Sequence, residues 1–201
     1  MENLAHHSSS PALSIQQVDI ANQEAIQPYF QGVDWVLHLA ALADVVPSIK
    51  RPKDYHHANV TGTLSVLEAS RMAGVKRLIY TASSSCYGIP DIIPTSETAD
   101  IKLEHPYALT KYLGEQYVLH WGKVYKIPVL SLRLFNVYGP RSRTSGAYGA
   151  VFGVFLAQKI NKKPFTIVGD GIQTRDFTFV GDVVNAYIAA AKSEISNDIF
   201  N

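Results

Sequence analysis

Tyr107 and Lys111 stand four residues apart in the segment HPYALTK. On a helix, residues i and i+4 lie on one face, one above the other. A phenol is a poor base at its ordinary pKa of about 10. A cation one helical turn away favours the phenolate and lowers that value. The pair can therefore take a proton from an alcohol. Of the 11 tyrosines only Tyr107 has a lysine four residues later. The spacing alone also fits an ordinary pair on an amphipathic helix. A second polar stretch, SSSCYG from Ser83, follows an apolar run that reads as a strand. If that turn faces Tyr107, three polar groups converge at the carboxyl end of a strand, where open α/β sheets place their ligands.

Strands and helices must alternate to bring these groups together. LSIQQVDI, residues 13–20, alternates well enough for a strand ending near Asp19. Asn22 can cap a short helix through Phe30, with Gly32 beyond its end. The apolar run from Trp35 to Ala41 predicts a strand buried on both faces. Pro52 suits the first turn of a long helix ending near Ala73 and closed by Gly74. Val75 to Ala82 is the next buried strand, and 88–105 reads as an exposed, irregular loop. Pro106 opens the Tyr107 helix, which runs to about Tyr125, and Pro128 to Phe135 is another strand. After Asn136 the texture changes to a Gly-, Ser- and Arg-rich loop, NVYGPRSRTSGAYGA. A helix is expected over 151–161, short strands in FTIVGDG and RDFTFV, and a helix from Asp182, a candidate N-cap, to Lys192. The final IFN reads as the start of a strand. This alternation predicts an α/β fold with a doubly wound parallel sheet.

The 201 residues are 47% hydrophobic and 17% charged, with a net charge of +1. That balance predicts a soluble globular chain with neither nucleic-acid nor membrane partners. No apolar run reaches the roughly 20 residues of a membrane helix. Cys86 is the one cysteine, so no internal disulfide can form, and a reducing cytoplasm fits. His38, His56, His57, His105 and His120 lack metal-ligand spacing, and no metal site is expected. His6 and His7 read as native surface sequence.

With these segments in view, the chain resembles the NAD-dependent nucleotide-sugar epimerase/dehydratase family, the extended short-chain dehydrogenases/reductases. The resemblance rests on VDI at 18–20, HLAA at 38–41, NVTGT at 59–63, SSSCYG, YALTK, LRLFNVYGPR, and DGIQTRDF at 170–177, in the family's order. It implies a Rossmann-like sheet over 1–136 and a partial, small C-terminal nucleotide-sugar lobe over 137–201, interleaved with the last Rossmann elements. The family's opening strand and G-x-x-G-x-x-G turn have no counterpart in the sequence. That turn would hold the cofactor pyrophosphate at a helix N-terminus. The first βαβ unit is therefore expected to be lacking, and the 201 residues alone to bind NAD poorly and turn over slowly.

The resemblance implies that Tyr107 is the base, that Lys111 assists it and bonds the nicotinamide ribose, and that Ser83 bridges Tyr107 and the sugar oxygen. It places NAD beside Asp19, Ile20, Leu39, Ala40, Ala41, Asn59 and Phe135, along with Ser83, Tyr107 and Lys111. Asp19 fits either an adenine contact or a helix cap. Ala40 and Ala41 fit close cofactor approach or plain packing, and Phe135 a nicotinamide wall or core. Asn59, disfavoured within a helix, fits a cofactor or a backbone-bridging role. The substrate would meet Ser84, Ser85, Asn136, Val151, Thr166, Val168 and Arg175. Arg175 could instead pair with Asp176 or Asp182, and Arg141 and Arg143 read as solvated.

Ser84 and Ser85 divide the family's reactions. Dehydratases, and related decarboxylases, resemble one another in carrying a carboxylate beside the hydroxyl residue for acid–base work. Serines cannot supply that. The resemblance therefore implies C4 epimerisation of a UDP-hexose through transient hydride transfer to NAD. A dehydratase is the enzyme alternative, and a non-catalytic remnant with residual UDP-sugar or partner binding the other. The Pro52 and Pro106 helices carry apolar residues on more than one side, including Leu64, Val66, Leu67, Leu113, Val118 and Trp121. A homodimer through these helices is the expected assembly.

Overall fold

The computed structural model describes residues 2–7, 9–141, 151–167 and 169–201. Asn22 accepts from the Ala25 amide at 3.1 Å and so caps α1 (Gln23–Ile26). A 3-10 turn at Gln27–Phe30 and Gly32 then lead to β1 (Trp35–His38). The helices α2 (Val45–Lys50) and α3 (Pro52–His56) follow. A π-helical turn, His57–Thr61, joins α3 to α4 (Gly62–Ala73). Gly74 closes α4 at φ +66°, a left-handed conformation that glycine adopts without a steric penalty.

Next come β2 (Arg77–Ser83), a 3-10 turn at Ser84–Tyr87, and α5 (Pro106–Tyr125). Pro106 sits where a missing N–H costs nothing. The remaining elements are β3 (Val129–Leu134), β4 (Asn136–Tyr138), α6 (Val151–Ile160), β5 (Phe177–Phe179), α7 (Val180–Lys192) and β6 (Asp198–Phe200).

The main sheet runs β1-β2-β3-β6, all parallel, with Leu37 beside Ile79 and Ile79 beside Leu130. Alternation along β2 divides the core. Leu78, Tyr80 and Ala82 face α4 and α5, packing with Val66, Leu67 and Val118. Ile79 faces the other way, into a cluster with Leu130, Leu132, Val183 and Tyr187. Helices thus cover both faces, the doubly wound arrangement expected from the alternation. β4 and β5 form a separate parallel pair.

Several expectations need correction. Residues 13–20 form no strand; they run without regular structure, because no neighbouring strand offers them a ladder. β1 ends at His38 and is not buried on both faces. It is an edge strand, with Trp35 and Leu37 each 48% exposed. The region between Ala41 and Pro52, given no element from the sequence, contains α2. Residues 165–167 form no strand. α7 starts at Val180, so Asp182 lies in its first turn and is not the cap. Of the apolar residues on the Pro52 and Pro106 helices, Val66, Leu67 and Val118 belong to the face that covers the sheet.

Candidate active site

Ser83 ends β2, so its side chain emerges at the carboxyl edge of the sheet. There the Ser83 hydroxyl accepts from the Ser85 amide at 3.3 Å and contacts the Ser85 hydroxyl at 2.8 Å. The same hydroxyl is near enough to the Tyr107 phenol to pull its pKa down. Tyr107 reaches this point from the first turn of α5, whose start is fixed twice. His105 Nδ1 accepts from the Ala108 amide at 3.1 Å, and the buried Ser48 hydroxyl accepts from the Tyr107 amide at 3.1 Å. Ser48 belongs to α2, an element absent from the sequence reading. A serine one residue beyond Pro47 was the available signal.

Lys111 is one turn further along α5 and only 4% exposed. Its Nζ lies 4.3 Å from the centre of the Tyr80 ring. Burial pulls its pKa down to about 7, partly offset by the Glu115 charge. Burial pushes the Tyr107 phenol up, the Ser83 hydroxyl pulls it down, and the nearby Asp44 charge pushes it up again. In the cofactor-free chain the phenol is therefore the resting form at neutral pH. The lowering expected from Lys111 is not what sets this state; the desolvation of Tyr107 is.

The Lys111 value fixes a pH dependence. Its folded pKa lies below the ordinary 10.5, so between about pH 7 and 10 the unfolded chain binds the extra proton. Stability then rises with pH across that window. Lys111→Met should make the chain more stable at pH 6, on the order of 2 kcal/mol, with the gain shrinking by pH 9. Urea unfolding at both pH values checks it. His38 does not blur the comparison. Burial, then Lys111, depresses its pKa to about 3, so it stays neutral in both folded chains at pH 6 and its contribution there cancels in their difference.

The loop after β1 lies beside this group. Asn59, fully buried in the π-helical turn, accepts from the Leu42 amide at 2.7 Å. Its Nδ2 donates to the Leu42 carbonyl and to Thr110, each at 3.0 Å. The Asn59 amide is thus spent bridging this loop to α5, the backbone-bridging alternative. Leu39, Ala40 and Ala41 are exposed in the same loop. Phe135 stacks on Tyr87 with ring centres 6.5 Å apart.

Behind the site lies a charged pair that the sequence reading passed over. Glu115 and Arg133 are 1% and 3% exposed at their side chains and meet at 2.6 Å. Arg133 also donates to the Tyr87 hydroxyl at 2.7 Å, and Tyr87 donates to Asn201 at 2.8 Å. Ser131 donates to Glu115 at 2.9 Å. Burial alone would pull the guanidinium down, but its bonds to Glu115 and Tyr87 push it up. An arginine inside the run LSLRLF was the signal, since a buried charge requires a partner. Cys86, in the same turn, is buried and its thiol is pushed up to about 11 by burial.

The other predicted residues lie apart from Ser83. Asp19 accepts from the Ala21 amide at 2.9 Å and approaches His57 at 3.7 Å. It lines a cleft of about 640 Å³ with Asn22, Gln27 and His57. Ile20 packs against Gly62 at the start of α4. Asn136 donates to the Asp176 carbonyl at 3.0 Å, which holds β4 to β5. Thr166 is tied to α6, its amide donating to Gln158 at 3.1 Å and its hydroxyl accepting from Gln158 at 2.8 Å. Arg175 donates to the Thr174 carbonyl at 2.7 Å. Val151 begins α6 and is exposed, and Arg141 donates to the Asn3 carbonyl at 2.9 Å. Val168 and Arg143 lie outside the described residues. Among the described residues no three His, Cys, Asp or Glu side chains could hold a metal ion, and no helix is long and apolar enough to cross a membrane.

Residues 2–201 match the model of the NAD dependent epimerase/dehydratase family. The chain belongs to that family. It is 36% identical over 203 aligned positions to a UDP-glucose 4-epimerase of Mycolicibacterium smegmatis, covering all of this chain and 64% of the relative. It is 31% identical over 202 positions to a UDP-N-acetyl-alpha-D-glucosaminuronate decarboxylase of Bacillus cytotoxicus, covering 98% of this chain and 62% of the relative. Among solved structures it is similar to the UDP-N-acetylglucosamine 4-epimerase of Methanobrevibacter ruminantium M1, with a TM-score of 0.91 and 31% identity over 95% of this chain and 61% of that one. The chain thus spans just over three fifths of the length of each of these relatives.

Proposed function

We propose that the chain carries the reaction centre of a nucleotide-sugar 4-epimerase acting on a UDP-hexose with NAD. The observation that carries the reading is the turn after β2. Ser83 acts on the Tyr107 phenol, pulling its pKa down, and the next two residues, Ser84 and Ser85, hold hydroxyls where a dehydratase or decarboxylase needs a carboxylate. A site with one base and no second acid–base pair can remove a C4 hydroxyl proton and return it. It cannot drive elimination of water. The decarboxylase relative keeps the family's other reactions in view, but the two serines favour epimerisation.

The residues fit a dinucleotide. Leu39, Ala40 and Ala41 leave an exposed, largely small-residue surface at the carboxyl edge of the sheet, where such ligands lie. That loop, with Asp19, Ile20, Phe135, Tyr107 and Lys111, would hold NAD. When bound, NAD would take the C4 hydride and give it back to the other face of the 4-keto sugar. Lys111 supplies positive charge beside Tyr107. Ser83 orients the phenol, and Asn59 and Ser48 hold the loop and the start of α5 in place. Val151, Thr166, Val168 and Arg175 belong, on this reading, to a nucleotide-sugar lobe formed by residues 137–201, and Asn136 stands at its entry.

Incubating the chain with NAD and UDP-galactose, and resolving the UDP-hexoses by chromatography, tests the proposal. The assay is run on the 201 residues and on the same chain carrying a glycine-rich βαβ unit ahead of Met1. UDP-glucose formed by either supports the reading. Its absence from both contradicts it.

A further inference from the structure

We propose that Tyr80 is the positioning residue for Lys111, its ring face serving as the seat of the lysine ammonium. In the sequence Tyr80 reads as one more apolar strand residue. The structure gives it two contacts that ordinary core packing does not require. Lys111 Nζ lies 4.3 Å from the ring centre, well within the distance at which an aromatic face attracts a cation. The Tyr80 hydroxyl donates to the Lys111 backbone carbonyl at 3.2 Å, so ring and ammonium belong to one closed unit.

Room for this hydroxyl is built into α5. Gly114 faces it, and a Cβ at that position would overlap the Tyr80 oxygen.

The groups around Lys111 leave the ring as its contact partner. From β1 comes His38, 5.5 Å from the Tyr80 ring centre to centre, its Nε2 at 2.9 Å from the Thr63 hydroxyl. Burial keeps that imidazole neutral at working pH. From α5 itself come Tyr107, a phenol at rest, and Glu115, whose carboxylate is already paired with Arg133 at 2.6 Å. Among the described residues Lys111 forms no ion pair. A buried ammonium resting on an aromatic face keeps its donors free on the opposite side. A carboxylate partner would consume them.

This inference rests on the reading that Lys111 serves the site as a cation. Its test measures that charge without turnover, so its failure is separable from failure of the epimerase assay. Lysine is labelled at Cε with carbon-13 in the cofactor-free chain, and the Lys111 signal, assigned by its loss in Lys111→Arg, is titrated by NMR. Two chains are compared, Tyr80→Phe and one with pentafluorophenylalanine at position 80. The two rings have nearly the same shape, but fluorination reverses the polarity of the ring face. Tyr80→Phe should titrate within a few tenths of a unit of the unchanged chain. The fluorinated chain should titrate about one pH unit lower, a tenfold change in proton affinity. Equal midpoints in the two variants would overturn the proposal. So would a full-unit fall in Tyr80→Phe, which would assign the effect to the hydroxyl and not to the ring.

Discussion

A Tyr107→Phe chain should convert UDP-galactose to UDP-glucose about 10²–10⁴-fold more slowly than the unchanged chain, the range contributed by a positioned base. The loss should fall on kcat, with little change in KM, because the ring and its packing remain. Tyr107 stands edge-on to Tyr55 and stacks on His105, with ring centres 6.5 and 6.1 Å away, and neither contact uses the hydroxyl. The melting temperature should therefore hold to within a few degrees. Steady-state kinetics on both chains checks the split. An unchanged kcat would place the base elsewhere, whereas a raised KM at constant kcat would make the phenol a binding group only.

The second large effect is on stability. Arg133→Met should cost about 3–5 kcal/mol, because it leaves Glu115 buried without its partner. At roughly 2–4 °C per kcal/mol for a chain of this size, the melting temperature should fall by about 10 °C. Adding Glu115→Leu to the same chain should recover much of the loss, since apolar residues of similar volume replace buried ion pairs with little penalty. Calorimetry of the single and double variants decides. If the single variant melts with the unchanged chain, the 2.6 Å pair is not holding β3 to α5. The loss should extend to the site, because Arg133 also donates to Tyr87 in the turn that follows Ser83.

The parts legible in the sequence were those set by local chemistry. Continuous apolar runs marked β2 and β3, Pro106 marked the start of α5, and Gly74 marked the end of α4. The Tyr107–Lys111 spacing placed both side chains on one helix face, and the serine turn placed Ser83 opposite them. What the sequence hid was set by partners distant along the chain. LSIQQVDI has strand alternation but no neighbour to pair with, so it stays irregular. WVLH has the composition of a buried strand, yet lies at a sheet edge. The roles of Ser48 and Asn59 depend on α2 and the β1 loop meeting the start of α5, which no local pattern reports. Tyr80 shows the same limit. Its period-2 position correctly assigns it to the core, but its ring gains a second use only because Lys111 descends onto it from another element.

Conversion of UDP-galactose deuterated at C4, in ordinary water with NAD, tests the epimerisation reading most directly. A site with Tyr107 as base and serines at 84 and 85 should return the same hydrogen it removed. The product should be UDP-glucose with deuterium retained at C4 and no solvent hydrogen exchanged at C5. Deuterium lost from C4, or a 6-deoxy-4-keto product with exchange at C5, would contradict it: the first means that the removed hydride is not returned, and the second requires acid–base chemistry that Ser84 and Ser85 cannot perform.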